Sequence, residues 1–296
     1  MTYFSIVIPL FNKENLVFRA INSIVNQVYK NWELIIVDDG STDSSFEIVQ
    51  DFLFKIDNSN FDIKLIHQKN QGVSVARNHG VEKAKYEYIC FLDADDEWYP
   101  DFLYNISSLI NLYPNAIIYS LQHESCIDDK DIIRNTSYYH NNYKGYIKNF
   151  FKYSLYGSLV NSSKVCIKKK EFLEIGGFPV GYKSGEDLYV WIELAIKGKS
   201  AFYNKVSTKV NIMTDHSRFG RDVSIPYPFT YYSMPMNKKR LPFWAKIYLM
   251  KIYLAHFKES ISSKNYYAAK IRAKSGYQLF PILSKFLLLI LFLLSK

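Results

Sequence analysis

Residues 33–43 read ELIIVDDGSTD. The largely apolar run Glu33–Val37 is short, rich in branched residues and bounded by polar ones, which predicts a buried strand. Asp38 and Asp39 follow it directly, a glycine then permits a turn, and Ser, Thr and Asp supply residues that begin helices. A strand that ends in carboxylates and runs into a helix is typical of an α/β protein with its functional site at the strand ends.

The first 120 residues repeat this alternation of short apolar runs and amphipathic stretches. Further strands are predicted at Phe4–Ile8, Ile63–Ile66 and Tyr88–Leu92, and helices at Asn12–Gln27, Ser44–Phe54, Val73–Lys85 and Tyr99–Leu112. Strands and helices that alternate at this spacing build βαβ units, so we predict an α/β fold with a mostly parallel sheet flanked by helices.

The pattern is less regular after residue 120. A strand is predicted at Lys164–Ile167, helices at Glu186–Lys197, Phe243–Ser260 and Tyr266–Tyr277, and an irregular connection at Ile225–Pro242. The C-terminal part is therefore predicted to be helical.

Composition and charge narrow the class of protein. Of the 296 residues, 48% are hydrophobic and 22% are charged, which is a globular and not a disordered composition. Residues 1–120 carry nine Lys and Arg against 16 Asp and Glu, whereas residues 238–296 carry 12 against one. The net charge of +9 is thus the sum of an acidic N-terminal part and a basic C-terminal tail. A basic tail can bind nucleic acid, bind an anionic membrane surface or simply increase solubility.

The sequence favours a reducing, cytoplasmic setting. Cys90, Cys126 and Cys166 are far apart and form no CxxC pair. The N-terminal stretch has no basic region followed by a long apolar segment, so no secretory signal is predicted.

The C-terminal segment 281–296 is apolar but short. Its uninterrupted apolar run Phe286–Leu294 has nine residues, whereas a spanning helix needs about 20. Either it inserts shallowly into an anionic membrane surface beside the basic residues that precede it, or it packs on the protein core. No nucleic-acid recognition motif accompanies the basic residues, so nucleic acid is not predicted as a partner.

Residues 93–96, DADD, form a second carboxylate group at a predicted strand end. Asp93 and Asp95 can both face a hard divalent cation, Mg²⁺ or Mn²⁺, that also binds substrate phosphates. The alternative is an acidic turn that caps the next helix. Asp38 and Asp39 have a similar pair of interpretations, because such carboxylates either help to begin a helix or accept the imide N–H of a uracil.

Two more polar stretches lie at predicted helix starts. Gly72 opens a helix that carries Arg77, and a helix N-terminus with a guanidinium nearby favours bound phosphate, although a surface Arg on a helix is ordinary. Glu186 and Asp187 follow Gly185 at another helix start. They either cap that helix or provide a general base for an acceptor hydroxyl.

The order and spacing of these motifs resemble the family 2 glycosyltransferases. The matching stretches are Ser5–Pro9 with Asn12, Val37–Asp43, Asn70–Gly80, Phe91–Asp96, Ile175–Phe178, and Glu186–Asp187 with Trp191. The resemblance implies a GT-A fold and inverting transfer of a sugar from a nucleotide-sugar donor, by default a UDP-sugar. The acceptor it implies is a hydroxyl of a saccharide or of a lipid-linked acceptor.

The resemblance also implies roles for individual residues. The nucleotide-binding set is Pro9, Asn12, Asp38, Asp39, Arg77, Asp93 and Ala94. The metal ligands for Mn²⁺ or Mg²⁺ are Asp95 and Asp93, with His216 as a further candidate. The catalytic residues are Asp187, the general base, and its neighbour Glu186. Asp39 is preferred to Asp38 as the residue that reads the nucleobase.

Some positions depart from the family pattern. His216 lies about where some relatives offer a metal-site histidine, and an ordinary exposed loop histidine is the alternative. Glu193 lies where relatives often have Arg, and no role is assigned to it. No QxxRW-type segment is visible, which argues against a processive polymer synthase.

Two regions follow from this resemblance. Residues 1–223 are expected to form the GT-A domain, with a nucleotide-binding part at 1–120 and an acceptor part at 121–223. Residues 224–296 are expected to form a basic, helical extension ending in the apolar segment. The many Lys, Asn, Ile, Tyr and Phe residues suggest an AT-rich bacterial genome and hence a role in surface polysaccharide, capsule or lipo-oligosaccharide assembly. The basic tail and its apolar end suggest a peripheral position on the cytoplasmic face of the inner membrane.

Other classes fit less well. A Rossmann dehydrogenase needs G-x-G-x-x-G after its first strand, where this chain has IPLFNKEN. A glycoside hydrolase uses two carboxylates but does not need this pattern of acidic strand ends. The remaining alternative is a catalytically silent nucleotide-binding protein on a membrane, and the intact Asp93, Asp95 and Asp187 argue against it.

Overall fold

The computed structural model describes residues 1–56, 61–134, 137–212 and 224–294. The strands of these ranges are β1 (Phe4–Leu10), β2 (Trp32–Asp38), β3 (Asp62–His67), β4 (Tyr88–Phe91), β5 (Glu97–Trp98), β6 (Ala116–Ile127), β7 (Asp131–Arg134), β8 (Lys144–Tyr146), β9 (Val165–Lys168) and β10 (Lys199–Ile212).

The helices of the same ranges flank the sheet and then follow it. They are α1 (Val17–Val25), α2 (Ser45–Lys55), α3 (Val73–Lys83), α4 (Phe102–Leu112), α5 (Phe150–Tyr153), α6 (Lys169–Glu174), α7 (Glu186–Lys197), α8 (Tyr227–Tyr231), α9 (Pro235–Arg240), α10 (Phe243–Ser262), α11 (Tyr266–Ser275) and α12 (Pro281–Leu294).

The strands form one mixed sheet in the order β3-β2-β1-β4-β9-β6-β10-β5, with β7 added to β6 and β8 to β10. The first four strands pair in parallel, and their register brings Leu10, Asp38 and His67 side by side at one edge. Strand β9 runs antiparallel to both β4 and β6, while β6 and β10 pair in parallel. The predicted α/β fold is confirmed, and its parallel part lies where the strand–helix alternation is clearest.

Alternation along the strands builds two hydrophobic layers, because successive side chains point to opposite faces of a sheet. On β1, Phe4, Ile6 and Ile8 belong to one buried cluster, whereas Val7 belongs to the other. The cluster that contains Val7 also includes residues of the C-terminal helices, such as Tyr253. The C-terminal helices therefore pack on the body of the protein.

The two longest strands, β6 and β10, were not predicted from the sequence, and β6 shows why. Strand β6 is buried along almost its whole length although it contains the polar run Gln122–Ser125. These polar groups have partners: the Tyr99 hydroxyl donates to Glu124, and the Lys164 ammonium lies 3.0 Å from Nδ1 of His123. Burial lowers the pKa of Lys164 to about 7. A buried polar run gives neither strand nor helix periodicity, so the sequence pattern missed it.

The predicted helix Asn12–Gln27 was wrong at its start, since α1 begins only at Val17. The N–H groups of Asn12, Lys13 and Glu14 donate to the side chains of Ser41, Ser45 and Asp43 respectively. Bonds to a neighbouring loop thus replace the first helical turns.

The connection at Ile225–Pro242 was predicted to be irregular, and it contains the short helices α8 and α9. Each has a proline in its first turn, which is the one helical position that tolerates proline well. The other predicted element bounds agree with the structure to within a few residues.

The extension is attached through a buried polar contact as well as through apolar packing. Glu193 of α7 accepts from the Tyr232 hydroxyl at 2.6 Å and from Nη2 of Arg240 at 2.9 Å. Strand β6 also continues across residue 120, so one sheet spans the predicted nucleotide and acceptor parts. Within the described ranges, no helix combines the length and apolar character that crossing a bilayer requires.

Candidate active site

A cavity of about 860 Å³ opens at the carboxyl ends of β1, β2 and β4. This is where polar loops of a parallel sheet converge. Its wall contains eight of the predicted site residues, namely Pro9, Asp39, Arg77, Asp93, Ala94, Asp95, Glu186 and Asp187. Asn12 and Asp38 do not contribute to this wall, and His216 lies outside the described residues.

The loop after β2 separates the roles of its two carboxylates. Asp38 is fully buried, and its oxygens lie 3.3 Å from the Ser41 N–H and 2.7 Å from Nδ1 of His67. Asp39 lines the cavity and accepts from the N–H groups of Gln71 at 3.0 Å and Gly72 at 2.7 Å. Asp38 therefore shapes the turn, while Asp39 links β2 to the start of α3.

A third bond completes the surroundings of Asp39. The Gln68 side-chain amide donates to it at 2.7 Å. A carboxylate offers about four lone-pair sites, so three bonds leave room for one more donor from the cavity.

The loop after β1 contributes Pro9 and Lys13 to the wall, whereas Asn12 bonds to Thr42 behind it. Nζ of Lys13 lies 2.8 Å from Asp95. Nothing in the sequence pattern pointed to Lys13, because a lysine in a polar loop is ordinary.

Arg77 is buried on α3 between the two acidic groups of the cavity. Its Nη2 donates to Asp93 at 2.6 Å, its Nη1 lies 3.7 Å from Glu186, and its Cζ lies 5.1 Å from the Phe178 ring centre. Burial opposes the charge, but the neighbouring carboxylates, led by Asp93, outweigh it and raise the pKa of Arg77. Nε and Nη1 are buried and have no hydrogen-bond partner among the described residues.

Close packing of α3 on β1 fixes the position of Arg77. Gly80 lies one turn after Arg77, and a Cβ added there would overlap the Val7 side chain of β1. The helix thus approaches the sheet more closely than any other residue would allow.

The three carboxylates of the DADD stretch differ in their surroundings. Asp93 faces Arg77 and Asp95 faces Lys13, and both line the cavity. Asp96 is buried, where it accepts from the Ser163 hydroxyl and from the Asn211 N–H. Burial, followed by the charges of its two neighbours, raises the pKa of Asp96 well above its ordinary value. Asp96 also borders the cavity, but each of its two carboxylate oxygens already accepts a hydrogen bond, from Ser163 and from Asn211.

Glu186 and Asp187 begin α7 on the opposite wall. The preceding Gly185 has a φ of 75°, and a side chain there would also clash with Pro226. Burial raises the pKa of Asp187 despite the opposing charge of Arg77. Burial and then the charge of Asp187 raise the pKa of Glu186. Two carboxylates with raised pKa in one cavity are suited to proton transfer.

The C-terminal extension also reaches the cavity, which the sequence pattern did not reveal. His256 of α10 lines it, and burial followed by the charge of Arg272 lowers the pKa of this imidazole. Two turns earlier, Tyr248 is half-buried, and burial followed by the charge of Asp187 raises the pKa of its hydroxyl. Helix α10 lacks a clear amphipathic pattern, so no spacing singled out these residues.

The residues that could hold a divalent cation form a small set. Within the part of the chain that the structure describes, no three His, Cys, Asp or Glu side chains are arranged as a complete metal site. Asp93 and Asp95 are hard oxygen donors that face the cavity. Mg²⁺ is commonly held by one or two carboxylates together with substrate phosphates, so these residues fit a site that a bound diphosphate completes.

Comparison with known sequences gives a consistent family. Residues 5–172 match glycosyl transferase family 2. An uncharacterized glycosyltransferase of Rickettsia felis is 31% identical over 220 residues, which covers 71% of this chain and 33% of the relative. A putative teichuronic acid biosynthesis glycosyltransferase of Bacillus subtilis, TuaG, is 38% identical over 99 residues, or 33% of this chain and 38% of TuaG. The chain spans about a third of the length of these curated relatives.

Comparison with solved structures agrees on the fold. S. aureus TarS 1-349, in complex with UDP-GlcNAc, resembles this chain with a TM-score of 0.73 and 16% identity. The likeness covers 94% of this chain and 82% of the TarS chain. The GT-A-type fold predicted from the motifs is thus confirmed. Since the family match covers more than half of its length, the chain belongs to glycosyl transferase family 2.

Proposed function

We propose that this chain transfers a sugar from a nucleotide-sugar, by default a UDP-sugar, to a hydroxyl of a saccharide or lipid-linked acceptor with inversion. The observation that carries the proposal is a half-buried carboxylate, Asp187, whose pKa is raised by burial and which lines the same cavity as the strand-end acids Asp93 and Asp95. Arg77 lies between the two acidic groups. A base and an anion site in one cavity are what a single displacement at an anomeric carbon needs.

The donor is expected on the strand-end wall. Asp39 has a free acceptor site for an imide N–H, and Pro9 lies beside it where the nucleotide passes. Arg77 also lines this cavity, and two nitrogens of its buried guanidinium have no hydrogen-bond partner among the described residues, so we place the diphosphate beside it. A UDP-GlcNAc complex exists for TarS, which supports a UDP-sugar donor for this chain.

Asp95 and Asp93 would hold Mn²⁺ or Mg²⁺ together with the diphosphate. A divalent cation supplies charge neutralisation for a departing nucleoside diphosphate. The cationic side chains of Lys13 and Arg77 contact the same two carboxylates.

Asp187 is the proposed general base. Its raised pKa makes it a stronger base than an exposed carboxylate, and it takes the proton as the acceptor oxygen attacks the anomeric carbon. Glu186 contacts Arg77 and thereby orients the start of α7.

The direct test measures release of UDP from a panel of UDP-sugars, with and without Mn²⁺, in the wild type and in Asp187→Asn. We expect the wild type to release UDP. The variant should release it at least about 100-fold more slowly, which is the scale of general-base catalysis. Asp51→Asn, at an exposed carboxylate on α2, is the matched control. Binding of UDP without turnover would favour the catalytically silent alternative, and full transfer by Asp187→Asn would refute the base assignment.

A cytoplasmic, peripheral membrane location is a second part of the proposal. Ile282, Phe286, Leu289 and Leu293 are 85%, 57%, 55% and 63% exposed and form one stripe along α12. The basic residues of 238–296 surround this stripe in sequence. An apolar stripe with flanking positive charge suits an anionic membrane surface. The similarity to TuaG, a putative teichuronic acid biosynthesis glycosyltransferase, supports a role of this chain in surface polysaccharide assembly.

Vesicle flotation tests this location. The full chain is expected to float with phosphatidylglycerol vesicles and not with phosphatidylcholine vesicles, and Phe286→Glu with Leu289→Glu should abolish flotation. Phe54→Glu, at an exposed phenylalanine of α2, is the control. Equal flotation of the double variant and the wild type would contradict the membrane assignment.

A further inference from the structure

Four tyrosine rings form a connected group beside the start of α7. They are Tyr182, Tyr189, Tyr227 and Tyr231. The ring centres of Tyr182 and Tyr227 are 4.3 Å apart, and Tyr189 lies 5.0 Å from Tyr227 and 4.9 Å from Tyr231. We call this group the tyrosine platform.

The four rings of the tyrosine platform lie outside the cavity wall itself but adjoin the residues of the wall that carries Asp187. Tyr182 directly precedes the lining stretch 183–188. The Tyr227 N–H donates to the Ser184 carbonyl at 2.9 Å, and Pro226, its neighbour, lines the cavity. A molecule that placed a hydroxyl at Asp187 and extended outward along this wall would meet the platform next.

The platform has a buried side and an open side. Tyr189 is buried and supports the group from beneath, whereas Tyr182 is 41% exposed. An exposed aromatic face is electron-rich and attracts the weakly positive C–H groups of an apolar surface. Pyranose rings present such C–H groups on their faces and hydroxyls at their edges, so they match both the rings and the phenol groups.

The phenols of the platform remain neutral donors and acceptors. Burial, followed by the charges of neighbouring tyrosines, raises the pKa of Tyr227. Burial likewise raises the pKa of Tyr189. The phenols bring no positive charge of their own, and the guanidinium that donates to the Tyr231 hydroxyl, Arg240, is paired with Glu193, so the platform favours an uncharged polar ligand over a phosphate.

We infer that the tyrosine platform binds a pyranose ring of the acceptor, one unit away from the ring whose hydroxyl meets Asp187. The inference rests on the proposed function, because it takes Asp187 as the reacting position. It makes the acceptor a carbohydrate of at least two units or a sugar-bearing lipid, and not a simple lipid alcohol.

Saturation-transfer NMR tests this inference with a named set of ligands: the methyl β-pyranosides of glucose, galactose, mannose and N-acetylglucosamine, each added to the full chain with UDP. We expect at least one of them to receive saturation on the C–H face of its ring. Tyr182→Ala should weaken that binding about 3- to 10-fold, the effect of losing one aromatic contact. Tyr182→Phe keeps the ring and should bind within about twofold of the wild type.

Tyr104→Ala, at an exposed tyrosine of α4, is the matched control and should bind as the wild type does. Unchanged binding by Tyr182→Ala, equal loss in Tyr182→Phe, or no saturation of any pyranoside would overturn the inference. UDP release without acceptor is measured in parallel. If the wild type released no UDP, the proposed function would be refuted. Pyranoside binding is measured separately and tests only the inference about the platform.

Discussion

At the scale of single residues, the surroundings of Asp187 favour its proposed role as a base but lower the stability of the folded protein at neutral pH. Burial raises its pKa, which means that the folded protein disfavours its charged form. A carboxyl whose pKa is raised in the folded state stabilises the protein only at low pH, and this contribution is lost as the pH rises through the folded pKa.

Asp187→Asn is therefore expected to raise the melting temperature at about pH 8 by about 2 °C or more, the shift that roughly 1 kcal/mol produces in a chain of this size. The gain should shrink towards about pH 4, where the wild-type carboxyl is becoming neutral. Thermal denaturation at the two pH values measures both effects. A melting temperature that falls equally at both would show that Asp187 stabilises the fold.

Arg77 is expected to be intolerant of even the conservative change to lysine. Its planar group contacts Asp93, Glu186 and the Phe178 ring together, and an ammonium cannot reproduce that set of contacts. Because removal of one partner from a buried pair costs about 3–5 kcal/mol, Arg77→Lys should lose a substantial part of that in a urea titration.

Arg19→Lys is the control for Arg77. Arg19 pairs with Asp129 at the surface at a distance of 2.8 Å, and exposed pairs contribute about 1 kcal/mol or less. Similar losses in the two variants would contradict the central position given to Arg77.

At the scale of elements, the contact of α3 with β1 determines how far Arg77 reaches into the cavity. Gly80→Ala should lower the free energy of unfolding by about 1–3 kcal/mol because the added methyl group overlaps Val7, although alanine favours helices by about 1 kcal/mol. Combining it with Val7→Ala should recover part of the loss. Urea denaturation of the four proteins of this double-mutant cycle gives the coupling, and strict additivity would show that the two residues do not interact.

The elements also show what could be predicted from sequence. Strand–helix alternation and acidic strand ends located β1, β2, β4 and the loops that line the cavity. Strand β6 could not be found in this way because its buried polar residues are satisfied by distant side chains such as Tyr99 and Lys164. Likewise, Lys13, Tyr248 and His256 join the site only through tertiary packing, which no local spacing records.

At the scale of the whole molecule, the extension is part of one packed structure with α7, the helix that begins with the proposed base. The charge of Glu193 is the main reason that the pKa of Arg240 is raised, and the Tyr232 hydroxyl shares the same carboxylate. This contact fastens the segment before α10 to α7, which begins with the proposed base. The basic charge of the extension is therefore carried on a body that also walls the cavity.

Glu193→Gln should loosen that attachment. Hydrogen bonds to charged groups contribute about 1.5–3 kcal/mol, so the amides of α10 should exchange at least about tenfold faster in the variant. Hydrogen exchange followed by mass spectrometry resolves this helix. Lys197→Gln, which removes an exposed pair with Glu174 on the same helix, should leave the exchange of α10 unchanged. Equal acceleration in both variants would refute the proposed role of Glu193.

The bonds that Asp39 makes have a consequence for redesign of the donor preference. Asp39 accepts from the backbone of Gln71 and Gly72, the residues that lead into α3 and hence into Arg77. A substitution made to accept a different nucleobase would therefore release the loop that aims the guanidinium at the diphosphate. If Asp39 and Arg77 have the roles proposed above, base selectivity and phosphate binding both depend on the bonds of Asp39. A library of variants for new donors should therefore vary residues 68–72 together with Asp39, because these residues contain the partners of its carboxylate. Changing Asp39 alone would be expected to impair the binding of both the base and the phosphates.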